Sequence, residues 1–209
     1  MEFIYATQNQ AKTKAMEKIL KENNTNIKLH TLKEINFDEE IVENGQTFEE
    51  NSEIKVRSVE KYCRQKGIQN KIIIADDAGL CIDKLNGEPG IYTARYAGEH
   101  PTQIENISKV LENMKQYDKM KDRTCCFVCV LTAIILQTGE KIVARGESKG
   151  YIAKEHGRLG GLTYGPIFIP EGFDIPMSEM REETYEKMHN HRDLAMKILL
   201  EEFKKRKIL

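Results

Sequence analysis

One stretch, Ile72-Ile73-Ile74-Ala75-Asp76-Asp77-Ala78-Gly79-Leu80, constrains this chain more than any other. Its four leading apolar residues, three of them β-branched, suit a pleated surface that needs cover on both faces, so they read as a buried strand of an α/β fold. Two acids then stand at the strand's mouth, with a turn expected at Gly79. An ionised carboxylate beside such a run is costly unless a cation or hydrogen-bond donors compensate it. A divalent metal would serve. So would water, if Asp-Asp-Ala-Gly is only the solvated turn that ends the strand.

The overall charge offers these acids no general counterweight. There are 32 basic and 33 acidic residues in 209, a formal net charge of −1, so no positive field invites a nucleic-acid polymer or an anionic membrane surface. Any anionic ligand is held locally. The length suits one domain with a substantial core. No uncharged apolar segment is long enough to span a bilayer, and Met1-Glu2-Phe3-Ile4-Tyr5 lacks a basic region and apolar signal core, so a cytoplasmic protein is expected. Of the five cysteines, Cys63, Cys81, Cys125, Cys126 and Cys129, three cluster in a predicted strand and read as small core residues. Cys126 and Cys129 have CxxC spacing, without the second pair or nearby histidine that zinc would want.

From the amino end, Phe3 to Thr7 reads as a strand that turns through Gln8-Asn9-Gln10 into an amphipathic helix carrying Met16, Ile19 and Leu20. Such a turn aims the helix's first unpaired N–H groups at whatever lies beyond the strand, and Thr7, Asn9 and Lys12 could complete a phosphate cradle. A polar turn that binds nothing looks the same, and this one lacks the glycine most phosphate loops use. After a second strand, Ile27 to Leu32, comes an acidic loop with Glu39, Glu40 and Glu43. Thr47-Phe48-Glu49-Glu50 is a capping-box pattern, so a helix is predicted from there to about Lys66, with Gly67 as its stop. On it Ser52, Lys55, Val59, Tyr62 and Cys63 share a face, and Asn51 lies one turn before Lys55. The Lys55 ammonium either snorkels to water or points into a cleft to bind phosphate beside the acids.

Farther on, a turn at Asn86 to Gly90 precedes a helix around Pro101 to Met114, with Ile104, Ile107, Val110 and Leu111 on one side. Thr124–Leu136 and Lys141–Gly150 read as a long hairpin joined by Gln137-Thr138-Gly139-Glu140. The glycine-rich run Gly157 to Pro166 implies backbone passing close to a ligand or to other backbone, or a flexible loop. A short strand, Ile167 to Ile169, follows. Asn190 can cap a final helix that buries Leu194, Ala195, Ile198, Leu199 and Phe203, with His191 and Arg192 in its first turn. There the helix dipole disfavours cations, so the pair wants an anion, or is a core histidine beside a surface arginine.

Taken together and in order, the pieces resemble the inosine triphosphate pyrophosphatase family over nearly the whole chain. The matching residues are Ala6-Thr7-Gln8-Asn9 with Lys12; Glu43-Asn44-Gly45 with Thr47-Phe48, Glu50-Asn51 and Lys55; Ala75 to Leu80; Gly87, Pro89-Gly90 and Ala94 to Glu99; Gly160-Gly161 with Tyr164 and Pro166 to Phe168; and His191-Arg192. The resemblance implies an α/β fold with a long curved mixed sheet flanked by helices, a single two-lobed domain over 1–209 with a central active-site cleft, and a homodimer. It implies Mg²⁺-dependent hydrolysis of nucleoside triphosphates, non-standard purines such as dITP, ITP and XTP, to the monophosphate and pyrophosphate. Asp77 would activate water and, with Glu43, hold Mg²⁺. Thr7, Asn9, Lys12 and Lys55 would hold the triphosphate. Ala78, Leu162, Thr163, Tyr164, Gly165, Lys187, His191 and Arg192 would complete the substrate contacts, the last two at the base end. The other reading is a nucleotide-binding protein of the same fold with lost or redirected turnover, which would have no need of a water-activating carboxylate.

Departures concentrate at the base end. Where the family usually has Phe-Gly-Tyr-Asp, this chain has Leu162-Thr163-Tyr164-Gly165, and Glu186 stands where a base-contacting lysine is usual, with Lys187 adjacent. A leucine covers a base face without stacking on it, forgoing a contribution typically worth about 0.5–1.5 kcal/mol, and a site with fewer polar groups to leave unpaired rejects analogues less strongly. The expected outcome is a weaker discrimination of inosine and xanthosine triphosphates from the standard purine nucleotides than in relatives, or a preference for another base altogether, read as kcat/KM for inosine triphosphate against ATP and GTP here and in a Leu162→Phe, Gly165→Asp double variant. A strong inosine preference unchanged by the two substitutions would place selectivity elsewhere.

Overall fold

A computed structural model describes every residue except Asn24, Leu162, His189 and Leu209, and leaves aside the side chains of Tyr185, Glu186 and Lys187. Six strands, β1 (Glu2–Tyr5), β2 (Lys28–Thr31), β3 (Ile72–Ile82), β4 (Thr124–Ile135), β5 (Lys141–Ile152) and β6 (Phe168–Pro170), form one sheet in the order β2-β1-β3-β4-β5-β6. The helices are α1 (Gln10–Glu22), α2 (Phe48–Gln65), α3 (Gln103–Met114), α4 (Glu182–Lys187) and α5 (His191–Lys205). The sheet is mixed: β1 runs parallel to β2 and β3, and β5 antiparallel to β6. Parallel neighbours need crossovers, which α1 and α2 supply, and covered faces explain the unbroken apolar run at the start of β3.

The chain divides into two compact units, one of Met1–Asp77, Cys129–Gly146 and Asp193–Leu209, the other of Ala78–Val128 and Glu147–Arg192. In the first, Phe3, Ile4 and Tyr5 pair with Ile72, Ile73 and Ile74. Strand alternation sends Ile4, Ile73 and Ala75 to one face, where they pack with Val56, Val59, Tyr62 and Cys63 of α2. Phe3 points the other way and meets Phe203 of α5 edge-on at 5.8 Å.

Two expectations need correcting. The strand does not end on its acids: β3 continues through Asp76, Asp77 and Gly79 to Ile82, because each carboxylate finds donors within the fold. The buried face of α5 is also rotated. Ala195, Met196, Leu199, Leu200 and Phe203 are buried, Leu194 is half-buried and Ile198 is exposed, since a helix apolar on several sides takes the orientation its neighbours select.

In the second unit, Leu80, Ile82, Cys125 and Phe127 pack with Ile107, Val110 and Met114 of α3 and with Tyr164, Ile167 and Phe168. Thr102 caps α3 through a full capping box with Glu105. Gly150 lies where a Cβ would come 2.3 Å from the Ile169 carbonyl, so the β5–β6 pairing requires glycine there. Arg123 is 3% exposed and spends its guanidinium on four carbonyls, those of Ile152 (2.6 Å), Met114 (2.8 Å), Tyr117 (2.9 Å) and Ala153 (2.7 Å). It thereby ties the end of α3 to the end of β5. A lysine offers three donors from one point and cannot span that set. Arg123→Lys is therefore expected to lower unfolding stability by roughly 2–4 kcal/mol, read from urea denaturation, since buried carbonyls lose their partners; unchanged stability would show that those carbonyls find substitutes.

Candidate active site

Alternation along β3 separates the two acids, and each is met by a different helix. Asp76 shares its face with Tyr5 and is 1% exposed. The Tyr5 hydroxyl donates to its Oδ1 at 2.5 Å and the Lys12 ammonium of α1 lies 3.2 Å from its Oδ2. Asp77 faces α2. Asn51 Nδ2 donates to its Oδ2 at 3.2 Å, and Lys55 Nζ lies 3.4 Å from its Oδ1 and 2.6 Å from Glu43 Oε2.

Local chemistry sets these positions. Thr47 caps α2 by accepting from the Glu50 N–H, while Glu50 turns its carboxylate to the Gln46 N–H at 2.6 Å, so the capping-box pattern is met in only one of its two bonds. Asn51 Oδ1 accepts from the Gly45 N–H at 2.9 Å. A Cβ on Gly45 would lie 2.7 Å from that Oδ1, so the acidic loop comes this close to α2 only as glycine. Asn51 thus holds the loop that carries Glu43 and touches Asp77 as well. At the start of α1, Asn9 Oδ1 accepts from the Ala11 and Lys12 N–H groups at 2.9 and 3.2 Å, and Thr7 Oγ1 accepts from the Asn9 N–H at 3.2 Å. Two of the N–H groups expected to await an anion are therefore capped by the chain itself, leaving the side-chain donors of Thr7, Asn9 and Lys12.

Burial pushes the Asp77 carboxyl above its ordinary range, helped by the Glu43 charge and opposed by Lys55, Asn51 and Lys12. Burial acts to lower the Lys55 ammonium, but Asp77, Glu43 and Asp76 outweigh it and the net shift is upward. Counted formally, three carboxyl groups face two ammonium groups in this cluster. Its donors are oxygens, the kind a hard divalent cation takes, and two carboxylates suffice for Mg²⁺, which keeps waters and fills its remaining positions from phosphate. Glu43 and Asp77 fit that group.

The remaining candidates belong to the second unit. Ala78 follows Asp77 on β3 and is half-buried. Gln103 of α3, unmarked in the sequence, clamps the glycine-rich loop: its Oε1 accepts from the Gly160 N–H at 2.8 Å and its Nε2 donates to the Thr163 carbonyl at 3.1 Å. Tyr164 is fully buried, its hydroxyl donating to the Thr93 carbonyl at 3.1 Å, and burial raises its pKa. Gly165 accepts from the Ser178 N–H. His191, 4% exposed, stacks on Phe127 with ring centroids 5.0 Å apart, and Arg192 is 9% exposed, its N–H bonded to Asn190 Oδ1 at 2.9 Å. The expected cap is present. Leu162 and the side chains of Glu186 and Lys187 lie outside the described residues. Thr7, Asn9, Lys12, Glu43, Lys55 and Asp77 thus belong to the first unit; the structure adds Tyr5 and gives Asn51 and Asp76, named in the sequence without a role, their partners.

Comparison with known proteins gives a consistent result. The family model described as Ham1 family matches residues 3–202. A dITP/XTP pyrophosphatase of Clostridium perfringens is 40% identical over 202 residues, 97% of each chain, and one of Bacillus subtilis is 41% identical over 197 residues, 94% of each. The solved Ham1 protein of Staphylococcus aureus superposes with a TM-score of 0.81 at 33% identity, covering 99% of this chain and 100% of that one. The HAM1 protein of Coxiella burnetii gives 0.82 at 32%, covering 98% and 99%.

Tyr5→Phe removes one hydroxyl and leaves the ring in place. With a buried carboxylate oxygen losing its short hydrogen bond, stability is expected to fall by about 1–3 kcal/mol, measured as a shift in the urea midpoint. A variant as stable as the parent would mean that Asp76 does not depend on Tyr5.

Proposed function

Because the chain belongs to the Ham1 family, we propose that it hydrolyses non-standard purine nucleoside triphosphates, dITP and XTP among them, to the nucleoside monophosphate and pyrophosphate. The observation that carries this reading is the first-unit cluster: a carboxyl with raised proton affinity, Asp77, flanked by a second carboxylate and an ammonium on Lys55, with Lys12 nearby on Asp76. A water approaching Asp77 gives up its proton to the Asp77 carboxylate as its oxygen bonds to the α-phosphorus. The bond from that phosphorus to the β-phosphate oxygen breaks, and pyrophosphate carries away the electron pair. Lys55 and Lys12, with the side chains of Thr7 and Asn9, hold the triphosphate and offset the charge that develops on its oxygens. Glu43 and Asp77 would hold Mg²⁺, which when bound supplies charge neutralisation and a more acidic water.

At the base end, Thr163, Gly165, His191 and Arg192 are the contacts this reading assigns, with Ala78 and Lys187 completing them; Tyr164 is buried, its hydroxyl bonded to the Thr93 carbonyl. The same reading takes the protein as a cytoplasmic homodimer whose single domain spans 1–209. Among the described residues, no helix is long and apolar enough to cross a membrane. A nucleotide-binding protein without turnover would have no use for a buried, water-activating carboxylate, which favours the enzyme.

With dITP, XTP and Mg²⁺, pyrophosphate is the expected product, and a chelator is expected to abolish its release. Asp77→Asn keeps the side chain's shape, so the variant is expected to stay folded while turnover falls by roughly a hundredfold or more, the effect of losing a positioned base. Orthophosphate as the product, undiminished rates in chelator, or normal turnover in the variant would each refute the assignment.

A further inference from the structure

Strands β3 and β4 are neighbours, and two contacts near their ends fix the register. The Leu136 N–H donates to the Lys71 carbonyl at 3.1 Å, and the Thr124 hydroxyl donates to Asp83 Oδ2 at 2.5 Å. Asp83 lies twelve residues after Lys71, and Thr124 twelve before Leu136, so the antiparallel pairing runs between these points with no net inserted residue. Ten residues on from Lys71 is Cys81; ten back from Leu136 is Cys126. The two cysteines therefore stand directly opposite each other. Side-chain alternation agrees, because Leu80, Ile82, Cys125 and Phe127 share one apolar cluster and the intervening Cys81 and Cys126 turn to the other face. Both are half-buried, whereas Cys63, Cys125 and Cys129 are buried. Directly opposed antiparallel residues have Cα atoms about 4.5–5.5 Å apart, inside the range of about 4.4–6.8 Å that disulfides span.

We propose that Cys81 and Cys126 form a dithiol modification site that takes low-molecular-weight disulfides, such as oxidised glutathione, and closes into a cross-strand disulfide. The thiolate of one cysteine attacks a sulfur of the small disulfide; a mixed disulfide forms, the original S–S bond breaks, and one small thiolate leaves and takes up a proton. The second cysteine's thiolate then attacks the protein sulfur of the mixed disulfide and expels the other small thiolate. Two protein thiols are oxidised, and one small disulfide is reduced to two thiols.

Burial favours this pair over its neighbours. It holds the Cys63 thiol up at about 11, and it pushes the Cys125 thiol higher still, with Cys126 and Asp83 adding to the effect, so neither supplies thiolate near neutral pH. Closing the bridge draws the opposed Cβ atoms in to about 3.8 Å from the wider spacing of a strand pair. A small thiol reopens the bridge by the same exchange run in reverse, which makes the modification reversible.

The test uses the full, reduced chain incubated with oxidised glutathione and analysed by intact mass and peptide mapping without reductant. The expected result is a product lighter by two hydrogens, a linkage joining the peptide that contains Cys81 to the one that contains Cys126, and reversal by dithiothreitol. Cys126→Ser is expected to stop at a single glutathione adduct on Cys81, while Cys125→Ser still closes the bridge. A linkage surviving in Cys126→Ser, or a wild-type chain that carries only glutathione adducts or none, overturns the proposal.

Discussion

Two carboxyl groups on consecutive residues of a buried strand are the constraint on which the rest of the first unit depends. They cannot both be compensated from one side, because a strand points consecutive side chains in opposite directions. The fold answers with a helix on each face: α1 brings Lys12 to Asp76, which Tyr5 of the neighbouring strand also holds, and α2 brings Lys55 and Asn51 to Asp77. Once both charges are met, nothing forces the strand to end, and β3 runs on to Ile82. The acids are then rigid features of the sheet, at the depth where burial raises the proton affinity of Asp77.

The second carboxylate of the cluster comes from a loop, and loops place charges loosely unless something pins them. Here the pin is short-range. Glu50 and Asn51, in the first turn of α2, bond the backbone of Gln46 and Gly45, and the missing side chain of Gly45 lets the loop lie against the helix. Glu43 reaches Lys55 as a result. The ammonium between Glu43 and Asp77 keeps two like charges in one small volume.

The second unit is organised by polar side chains that satisfy backbone at points where regular structure stops. Arg123 collects the last carbonyls of α3 and β5, and Gln103 bonds both the N–H and the C=O side of the glycine-rich loop. Each replaces hydrogen bonds that irregular backbone would otherwise lose on burial. Gly160 and Thr163 of the glycine-rich run are accordingly held, and Tyr164 of the same run is buried.

The chain's local periodicities were enough to determine the buried start of β3, the lysine-bearing face of α2, the caps at Thr47 and Asn190 and the β4–β5 hairpin, because each depends on residues within a turn or two of one another. The family resemblance, and not spacing, marked Glu43, Lys55 and Asp77, which the fold brings into contact. Tertiary structure alone decided that Asp76 pairs with Tyr5, 71 residues away, that α5 buries Met196 and Leu200 rather than Ile198, that Arg123 and Gln103 serve backbone far along the chain, and that Tyr164 is core. The reason is the same in each case. A hydrogen bond or a packed face is specified by whichever distant residue arrives opposite it, and spacing along a sequence carries no record of that arrival.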